Sequence, residues 1–565
     1  LGVEFGPVVN GYADVQGIPD TVIEIFSKRR TEIEDVLAES GLTSARAAQV
    51  ATLDTRRSKE YGVDAETLRE RWHADATDGG FDVAALERCF GRVGVEAITG
   101  GRIERLYARL AGAEGLTERA STFRRTEVIE AVASATGGSC TAPEVESLAD
   151  GFLGSAHVVP VVDVQASTDE VLSPEQPRVQ KASPTQYLYT TRELAVMEAD
   201  LLRWANNPAA VTAVDPIEIQ RVLDARPELS DEQADMVEAA SAPDRLLTPI
   251  AGRPGAGKTY ATEAVVAAHV ASGVPILGCA VSATAAAELE RAAGFSRSVQ
   301  PATTLARLLV DLDRSPSAIA PGACVVLDEA SMVGTRDLHR LVRHFIAAQG
   351  AVLLIGDPDQ HGSVDVGGVF QRLCRDRGDD LVRLVDNNRQ IEQSDRLAID
   401  DYRQGHIAEA LGRYDDAGHV VRSRTAGESL DAMVADWYAD WLEGHADPMI
   451  AGPNSLRRAL NDRARAVLKA EGHLHGDALV IGGREFMVGD EVVARRNDRR
   501  LRNVDTGEFV KNGSAGVVAN LDRRAKRITV AFDHEGTITL PTAYLAAGRL
   551  EHAYARTTYG VQGAT

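Results

Sequence analysis

From Leu246 onward the chain alternates short, almost wholly apolar runs with longer amphipathic stretches. Leu246–Ala251, Ala323–Leu327 and Ala351–Ile355 show little of the in-out alternation that a half-exposed strand would carry. Strands buried on both faces read this way, and with helices between them they predict a parallel α/β sheet. Pro249 is awkward for a central strand and is expected to end the first run early. From about Phe486 to Leu540 the pattern becomes short and alternating, with a turn at Asn512-Gly513, which predicts a small antiparallel barrel. Upstream the pattern is helical. Val22, Phe26, Ile33, Val36 and Leu37 follow Thr21, a predicted N-cap, and further helices are expected over Phe123–Ala135 and Glu144–Leu153. Between Val161 and Pro184 the period is lost and Pro174, Pro177 and Pro184 suggest a linker. The helical pattern resumes at Thr190, which has capping-box spacing to Glu193.

Composition narrows the class without choosing the function. The chain has 565 residues, enough for ~3–5 domains, and 44% hydrophobic with 25% charged residues is ordinary for a globular protein. Its 83 acidic and 61 basic residues leave a net charge of −22. That excludes a uniformly basic nucleic-acid coat but not a DNA groove lined by local arginines. No apolar run is long enough to span a membrane, so no membrane insertion is expected. The N-terminus lacks a signal-peptide pattern, and the five scattered cysteines read as reduced and free of metal, together suggesting a cytoplasmic protein.

The strongest chemical signal is Gly252-Arg-Pro-Gly255-Ala256-Gly257-Lys258-Thr259, a full GxxxxGK[ST] loop after an apolar run and before an Ala/Val-rich helix. Its backbone N–H groups can wrap phosphates at a helix N-terminus. Lys258 would reach the β- and γ-phosphates, and the Thr259 hydroxyl would ligate Mg²⁺. The run ending in Asp328-Glu329 follows. There an aspartate at a strand end would hold the metal, and a glutamate would polarise the attacking water. A further run ends in Gly356-Asp-Pro-Asp-Gln360, placing Gln360 to sense the γ-phosphate at the same crevice. ATP and Mg²⁺ are therefore the expected cofactors.

This order of motifs resembles superfamily 1 helicases, and most closely the RecD-like branch, over about residues 228–565. The resemblance implies two RecA-like lobes, the second incomplete. It makes Gln233 in Leu229-Ser-Asp-Glu-Gln233 an adenine reader, although Ser230 and Gln233 also have capping-box spacing. It puts Thr284 and Thr304 at DNA-contacting motifs Ia and Ib. Arg389 in Asn388-Arg-Gln390 becomes the arginine that reaches the γ-phosphate, and Gln562 falls in motif V. Tyr559 and His361 depart from the residues usual in motifs V and III. Motif VI is expected beyond Thr565, so the chain reads as part of something longer.

The first residues specify the kind of helicase. Leu1-Gly-Val-Glu-Phe-Gly-Pro-Val-Val-Asn-Gly11, Phe26-Ser-Lys-Arg-Arg30 and Ser44-Ala-Arg-Ala-Ala-Gln49 resemble the end of a MobF-type conjugative relaxase domain, TrwC/TraI-like. In that family a tyrosine transesterase precedes a RecD-like helicase. The transesterase chemistry itself is expected outside this chain, because only His73 and His157 occur before residue 200. The implied fold class is α/β: a P-loop NTPase with an N-terminal helical region and a small SH3-like β-barrel insertion. The expected domains are 1–75, the end of the relaxase-like domain; 76–185, helical region and linker; 186–380, the first lobe; and 381–565, the second lobe with the barrel at about 484–545. Arg495, Arg496 and the basic residues around them are candidates for DNA contact, or a solvated arginine-rich surface. The expected function is an ATP-dependent helicase moving on single-stranded DNA, by resemblance 5′ to 3′, with other conjugation proteins as possible partners. The rivals are a free-standing RecD-like repair helicase and a non-catalytic DNA-binding transfer scaffold.

Overall fold

The computed structural model describes residues 3–6, 13–20, 22–23, 65–90, 100–137, 140–161, 188–208, 214–242, 245–315, 319–360, 362, 366–386, 392–445 and 447–561. The chain divides into two compact units, Leu1–Val196 and Met197–Thr565.

In the first unit, α1 (Ala65–Asp78) precedes a helical core of α2 (Gly100–Ala111), α3 (Arg125–Thr136) and α4 (Ala142–Leu153). Glu144 closes a capping box on Thr141 at the start of α4, and Gly137 ends α3 in the left-handed conformation that favours glycine. Phe123, Val128, Val132, Ala149 and Phe152 are buried together. The stretch expected to be a linker is bounded by strands instead. β1 (Val158–Val161) and β2 (Leu188–Thr191) pair antiparallel, Val158 opposite Thr191, while residues 162–187 lie outside the described set. The helix expected from Thr190 is therefore displaced: Thr190 sits in the ladder, and Thr191 Oγ1 accepts from the Leu194 N–H at 3.3 Å as α5 (Arg192–Ala205) begins.

The second unit is built on a six-stranded, all-parallel sheet in the order β5-β4-β6-β7-β3-β8. The strands are β3 (Leu247–Gly252), β4 (Ile276–Ala280), β5 (Thr303–Thr304), β6 (Cys324–Asp328), β7 (Ala351–Gly356) and β8 (Val382–Leu384). Every residue of β3, β4 and β7 is buried, which is why these strands read as unbroken apolar runs. Helices α6 (Pro216–Asp224), α7 (Asp231–Ser241), α8 (Lys258–Ala271), α9 (Ala283–Ala293), α10 (Leu305–Arg314), α11 (Thr335–Ala347) and α12 (Val369–Arg377) complete this part. Its buried side chains form two clusters, one holding Leu327, Leu341 and Phe345, the other Val265, Val266 and Phe295. Pro249 does not end β3 early. The β8 ladder joins only from Ile250, so Pro249 is flanked by β7 alone and its missing N–H is tolerated.

Helices α13 (Gln393–Arg403), α14 (Ile407–Asp416), α15 (Ala426–Leu442) and α16 (Asn454–Ala470) follow, with β9 (Met449–Ala451) between the last two. Next come β10 (His475–Ile481) paired with β11 (Arg484–Val488), then β12 (Glu491–Ala494), and β13 (Asp498–Arg502) paired with β14 (Phe509–Val510). Strands β15 (Ala515–Asp522), β16 (Arg527–Phe532), β17 (Gly536–Leu540) and β18 (Leu550–His552) join β12 in a five-stranded antiparallel sheet, β17-β16-β15-β12-β18. Val492, Val518, Ile528, Val530 and Leu540 fill its core. The Asn512-Gly513 turn is present, with Gly513 at φ 95°, but it links β14 to β15, which pair with different partners, so it is not a hairpin tip. The chain then returns through β19 (Ala555–Thr557), parallel to β9.

Candidate nucleotide-binding site

The parallel sheet brings the predicted chemistry to one edge. Asp328 lies opposite Ala280, and Thr304 lies opposite Ala280 on its other side, so these strand ends are aligned. Gly252 and Gly356 end β3 and β7 on the same edge. A ligand crevice outside the carboxyl ends of the strands is the site this topology favours.

The loop after β3 has the phosphate-cradling form. Gly255 and Gly257 hold φ of 78° and 77°, and α8 starts at Lys258 with Gly257 as its N-cap. A side chain cannot enter here: a Cβ on Gly257 would lie 2.1 Å from Gln233 Nε2. Lys258 Nζ donates to the Gly252 carbonyl at 3.0 Å, and the Thr259 side chain is exposed at the second position of α8.

Both side-chain amide atoms of Gln233 have a partner within the protein. Its Oε1 accepts from the Ser230 N–H at 3.1 Å and Ser230 Oγ accepts from the Gln233 N–H at 3.3 Å, the reciprocal capping box. Its Nε2 donates to the Ala256 carbonyl at 3.1 Å, so the same side chain that starts α7 braces the phosphate loop. Neighbouring Glu232 accepts from the Val385 and Asp386 N–H groups at 2.7 and 3.2 Å, fixing the chain just before the segment that contains Arg389.

Burial raises the pKa values of both Asp328 and Glu329, and the Lys258 charge opposes the rise. Asp328 Oδ1 accepts from the Glu329 N–H at 2.9 Å. Glu329 adopts φ 54°, a left-handed conformation that costs a non-glycine residue of order 1–3 kcal/mol. Its buried Oε2 has no hydrogen-bond partner among the described residues. A strained, desolvated carboxylate with a spare oxygen beside the phosphate loop is suited to accept a proton from water. These features would suit ATP with Mg²⁺: Asp328 and Thr259 carry the oxygen atoms that would hold the metal, and the glycine cradle leaves its backbone N–H groups open to phosphate.

Asp357 links this edge to α13. It is 1% exposed and forms a two-pronged pair with Arg403, at 2.8 and 2.9 Å, while Gln360 Nε2 donates to Asp357 Oδ2 at 3.2 Å. Burial by itself would raise the Asp357 pKa, but Arg403 and the Asp359 N–H hold it below the ordinary value. Arg403 also reaches Asp359 at 2.9 Å. One turn earlier on the same helix, Asp400 accepts from Arg253 of the phosphate loop at 2.7 Å.

The comparisons with known proteins divide along the same lines. A family profile described as TrwC relaxase matches residues 1–78, and one described as AAA domain matches residues 228–425. The conjugal transfer protein TraA of Agrobacterium fabrum is 27% identical over 421 residues, 72% of this chain and 36% of that protein. TraA of Rhizobium radiobacter is 29% identical over 387 residues, 67% and 33% of the two chains. This chain is homologous to these conjugal transfer proteins. It spans about a third of the length of these TraA relatives. The ATP-dependent RecD2 DNA helicase of Deinococcus radiodurans is 26% identical over 343 residues, covering 60% of this chain and 44% of that protein. A solved structure of Pif1 helicases at forked duplex DNA is 18% identical, covers 60% of this chain and has a TM-score of 0.33.

Several predicted residues of this TraA homologue lie elsewhere. Arg389, His361 and Gln562 lie outside the described residues, as do Lys28–Arg30 and Ser44–Gln49, and nothing is described of the Tyr559 side chain. Thr304 Oγ1 accepts from the Arg307 N–H to cap α10, and Thr284 shares a hydrogen bond of 2.9 Å with Ser282 at the start of α9. A Cβ on Gly513 would lie 3.7 Å from Thr284, so the Asn512-Gly513 turn rests on this same edge. Arg495 is committed to structure: with Arg457 and Arg484 it surrounds Glu551, at 2.7, 3.1 and 2.6 Å. Arg496 is exposed and makes no ion pair with a described residue. Sequence reasoning missed Arg403, Asp400, Arg253 and Glu232, whose partners lie tens of residues away with no local spacing to reveal them. No helix among the described residues is long and apolar enough to cross a membrane.

Proposed function

We propose that this chain is the ATP-dependent DNA helicase portion of a conjugative relaxase, translocating 5′ to 3′ on single-stranded DNA in the cytoplasm, with other conjugation proteins as partners. The observation that carries it is the alignment of Lys258, Asp328, Glu329 and the Asp357–Gln360 pair along one parallel-sheet edge, in a chain whose first 78 residues match a relaxase profile. A free-standing repair helicase would not need that relaxase segment. In this proposal residues 1–75 end the relaxase domain, 76–185 form a helical region and linker, 186–380 the first RecA-like lobe and 381–565 the second, with an SH3-like insertion at about 484–545.

The phosphate loop binds ATP through its backbone N–H groups and Lys258, with Gln233 bracing the loop and serving the adenine end of the site. Thr259 and Asp328 would hold Mg²⁺, which would supply positive charge to offset that of the phosphates. Glu329 takes the proton from the attacking water, Gln360 orients on the γ-phosphate, and Arg389 stabilises the charge that develops there. Thr284, Thr304, Arg496 and Gln562 contact the strand, with Arg495 shaping that surface through Glu551. The test is strand displacement on a duplex with a 5′ overhang, run beside ATP turnover. Glu329→Gln should retain ATP binding and lose both activities. Unwinding by Glu329→Gln at the unmodified rate would refute the mechanism, and absence of any DNA-stimulated turnover in the unmodified chain would refute the function.

A further inference from the structure

The first unit carries a basic site that the nucleotide chemistry leaves unused. Its elements run α2, Phe123, α3, α4, β1, β2, and Phe123 bridges Tyr189 of β2, which in turn pairs with β1. Three extended segments thus close a three-helix core, the order of a winged helix-turn-helix with α3 and α4 as the helix pair. In helix-turn-helix modules the second helix of the pair enters the DNA groove. Here that helix is α4, which carries Glu144, Glu146 and Asp150 and no lysine or arginine. It would be repelled by a duplex backbone.

The positive charge lies on α2. Arg102, Arg105 and Arg109 are spaced i, i+3 and i+7, which places them within about 60° around the helix and over about 10 Å along it. With Leu106, Ala135 and Thr136 they line a cavity of about 260 Å³. Among the described residues no carboxylate lines it, and Arg105 and Arg109 form no ion pair with a described residue. In a chain of net charge −22, three guanidinium groups converging on one cavity mark a local reversal of sign. Guanidinium forks match phosphate oxygens in geometry as well as charge.

We propose that the cavity formed by Arg102, Arg105 and Arg109 binds the phosphate backbone of single-stranded DNA. The identity of this ligand rests on the helicase function proposed above. The acidic α4 excludes the groove-reading mode, so recognition is through the backbone, independent of sequence and sensitive to salt.

The test uses the whole chain and fluorescein-labelled oligo(dT), with anisotropy followed across a salt series. Replacing all three arginines by glutamine should weaken binding by about tenfold or more. It should also flatten the log–log salt dependence by about 2, at ~0.7 for each single-strand phosphate that is no longer neutralised. ATP affinity should not change. A photoreactive benzoylphenylalanine in place of exposed Ala108 should cross-link to oligo(dT) but not to its uncharged methylphosphonate analogue. Unchanged affinity and salt slope in the triple variant would overturn this site while leaving DNA use by the motor intact. Cross-linking that favours duplex over single strand would overturn it too. If the unmodified chain bound no oligonucleotide, the helicase function would fall first and this site with it.

Discussion

Arg403→Ala tests whether the sequence-distant ion pair on α13 sets the chemistry at the sheet edge. Asp357 is 1% exposed and receives two hydrogen bonds from Arg403, whose side chain is itself 17% exposed. Removing one partner of a buried pair costs ~3–5 kcal/mol, because the remaining charge is left desolvated. The partial exposure of Arg403 places the expectation at the lower end, about 3 kcal/mol. At roughly 2.1 cal/mol/K of unfolding entropy per residue, a cooperative unit spanning Met197–Thr565 shifts by about 1.3 °C per kcal/mol, so the melting temperature should fall by about 4 °C. The pH dependence gives a sharper signature. In the unmodified protein the Asp357 pKa is depressed, so its contribution to stability is complete above the unfolded value near 4 and is lost only as pH falls below it. Without Arg403, burial dominates and raises the pKa, which reverses the sign. The variant should then be least stable, relative to the unmodified protein, at neutral pH and should recover as pH falls toward the raised value. Arg403→Ala combined with Asp357→Asn should regain part of the lost stability, since no charge is then buried alone. ATP turnover should fall more than ATP affinity, because Gln360 is held by Asp357 Oδ2. Thermal melts across pH on the single and double variants decide the matter. A loss independent of pH, with no recovery in the double variant, would show that Arg403 acts by packing alone.

Four further outcomes follow from the same geometry. Glu329→Gln should bind ATP normally and lose ~10²–10⁴ in turnover, as measured by calorimetry and a phosphate-release assay. In the unmodified chain, turnover should decline as pH falls through a Glu329 pKa raised above its ordinary 4.5, since the base must be unprotonated; a profile flat well below that value would contradict its role. Gly257→Ala should abolish ATP binding and lower stability, because its φ of 77° and the 2.1 Å approach to Gln233 leave no room for a methyl group; wild-type affinity in the variant would contradict this loop geometry. Arg495→Ala should lower the melting temperature by leaving Glu551 short of a partner, whereas Arg496→Ala should leave stability alone and reduce the salt slope of oligo(dT) binding by about 0.7; the opposite assignment would appear as the reverse pattern.

Much of the first lobe was legible because its signals are local. Strands buried on both faces must be apolar throughout, so β3, β6 and β7 announce themselves, and a loop that wraps phosphates needs glycines at fixed offsets ahead of Lys258. Local signals also mislead where a neighbour decides. Thr190 and Thr191 both offer a hydroxyl near Glu193, and only the ladder with β1 assigns Thr190 to the strand and Thr191 to the cap. Pro249 is tolerated because β8 starts pairing one residue later, a fact no spacing in the sequence contains.

The arginines show the limit most clearly, because their chemistry is identical in the sequence and opposite in the structure. Arg495 and Arg496 are adjacent in the turn between β12 and β13, yet one pairs with Glu551 and the other is left exposed. Arg403 looks like any helix-ending arginine, yet its partner Asp357 lies 46 residues earlier on another element. Arg102, Arg105 and Arg109 remain exposed on α2, and only the placement of α3 beside it shows that they line one cavity with Ala135 and Thr136. What separates these cases is the distribution of carboxylates in space. Where one is within reach the arginine is structural, and where the described wall of an arginine-lined cavity has none, a phosphate can take the carboxylate's place. In a chain with an excess of acid, such a cavity is a stronger indicator of a polyanion site than it would be in a basic one.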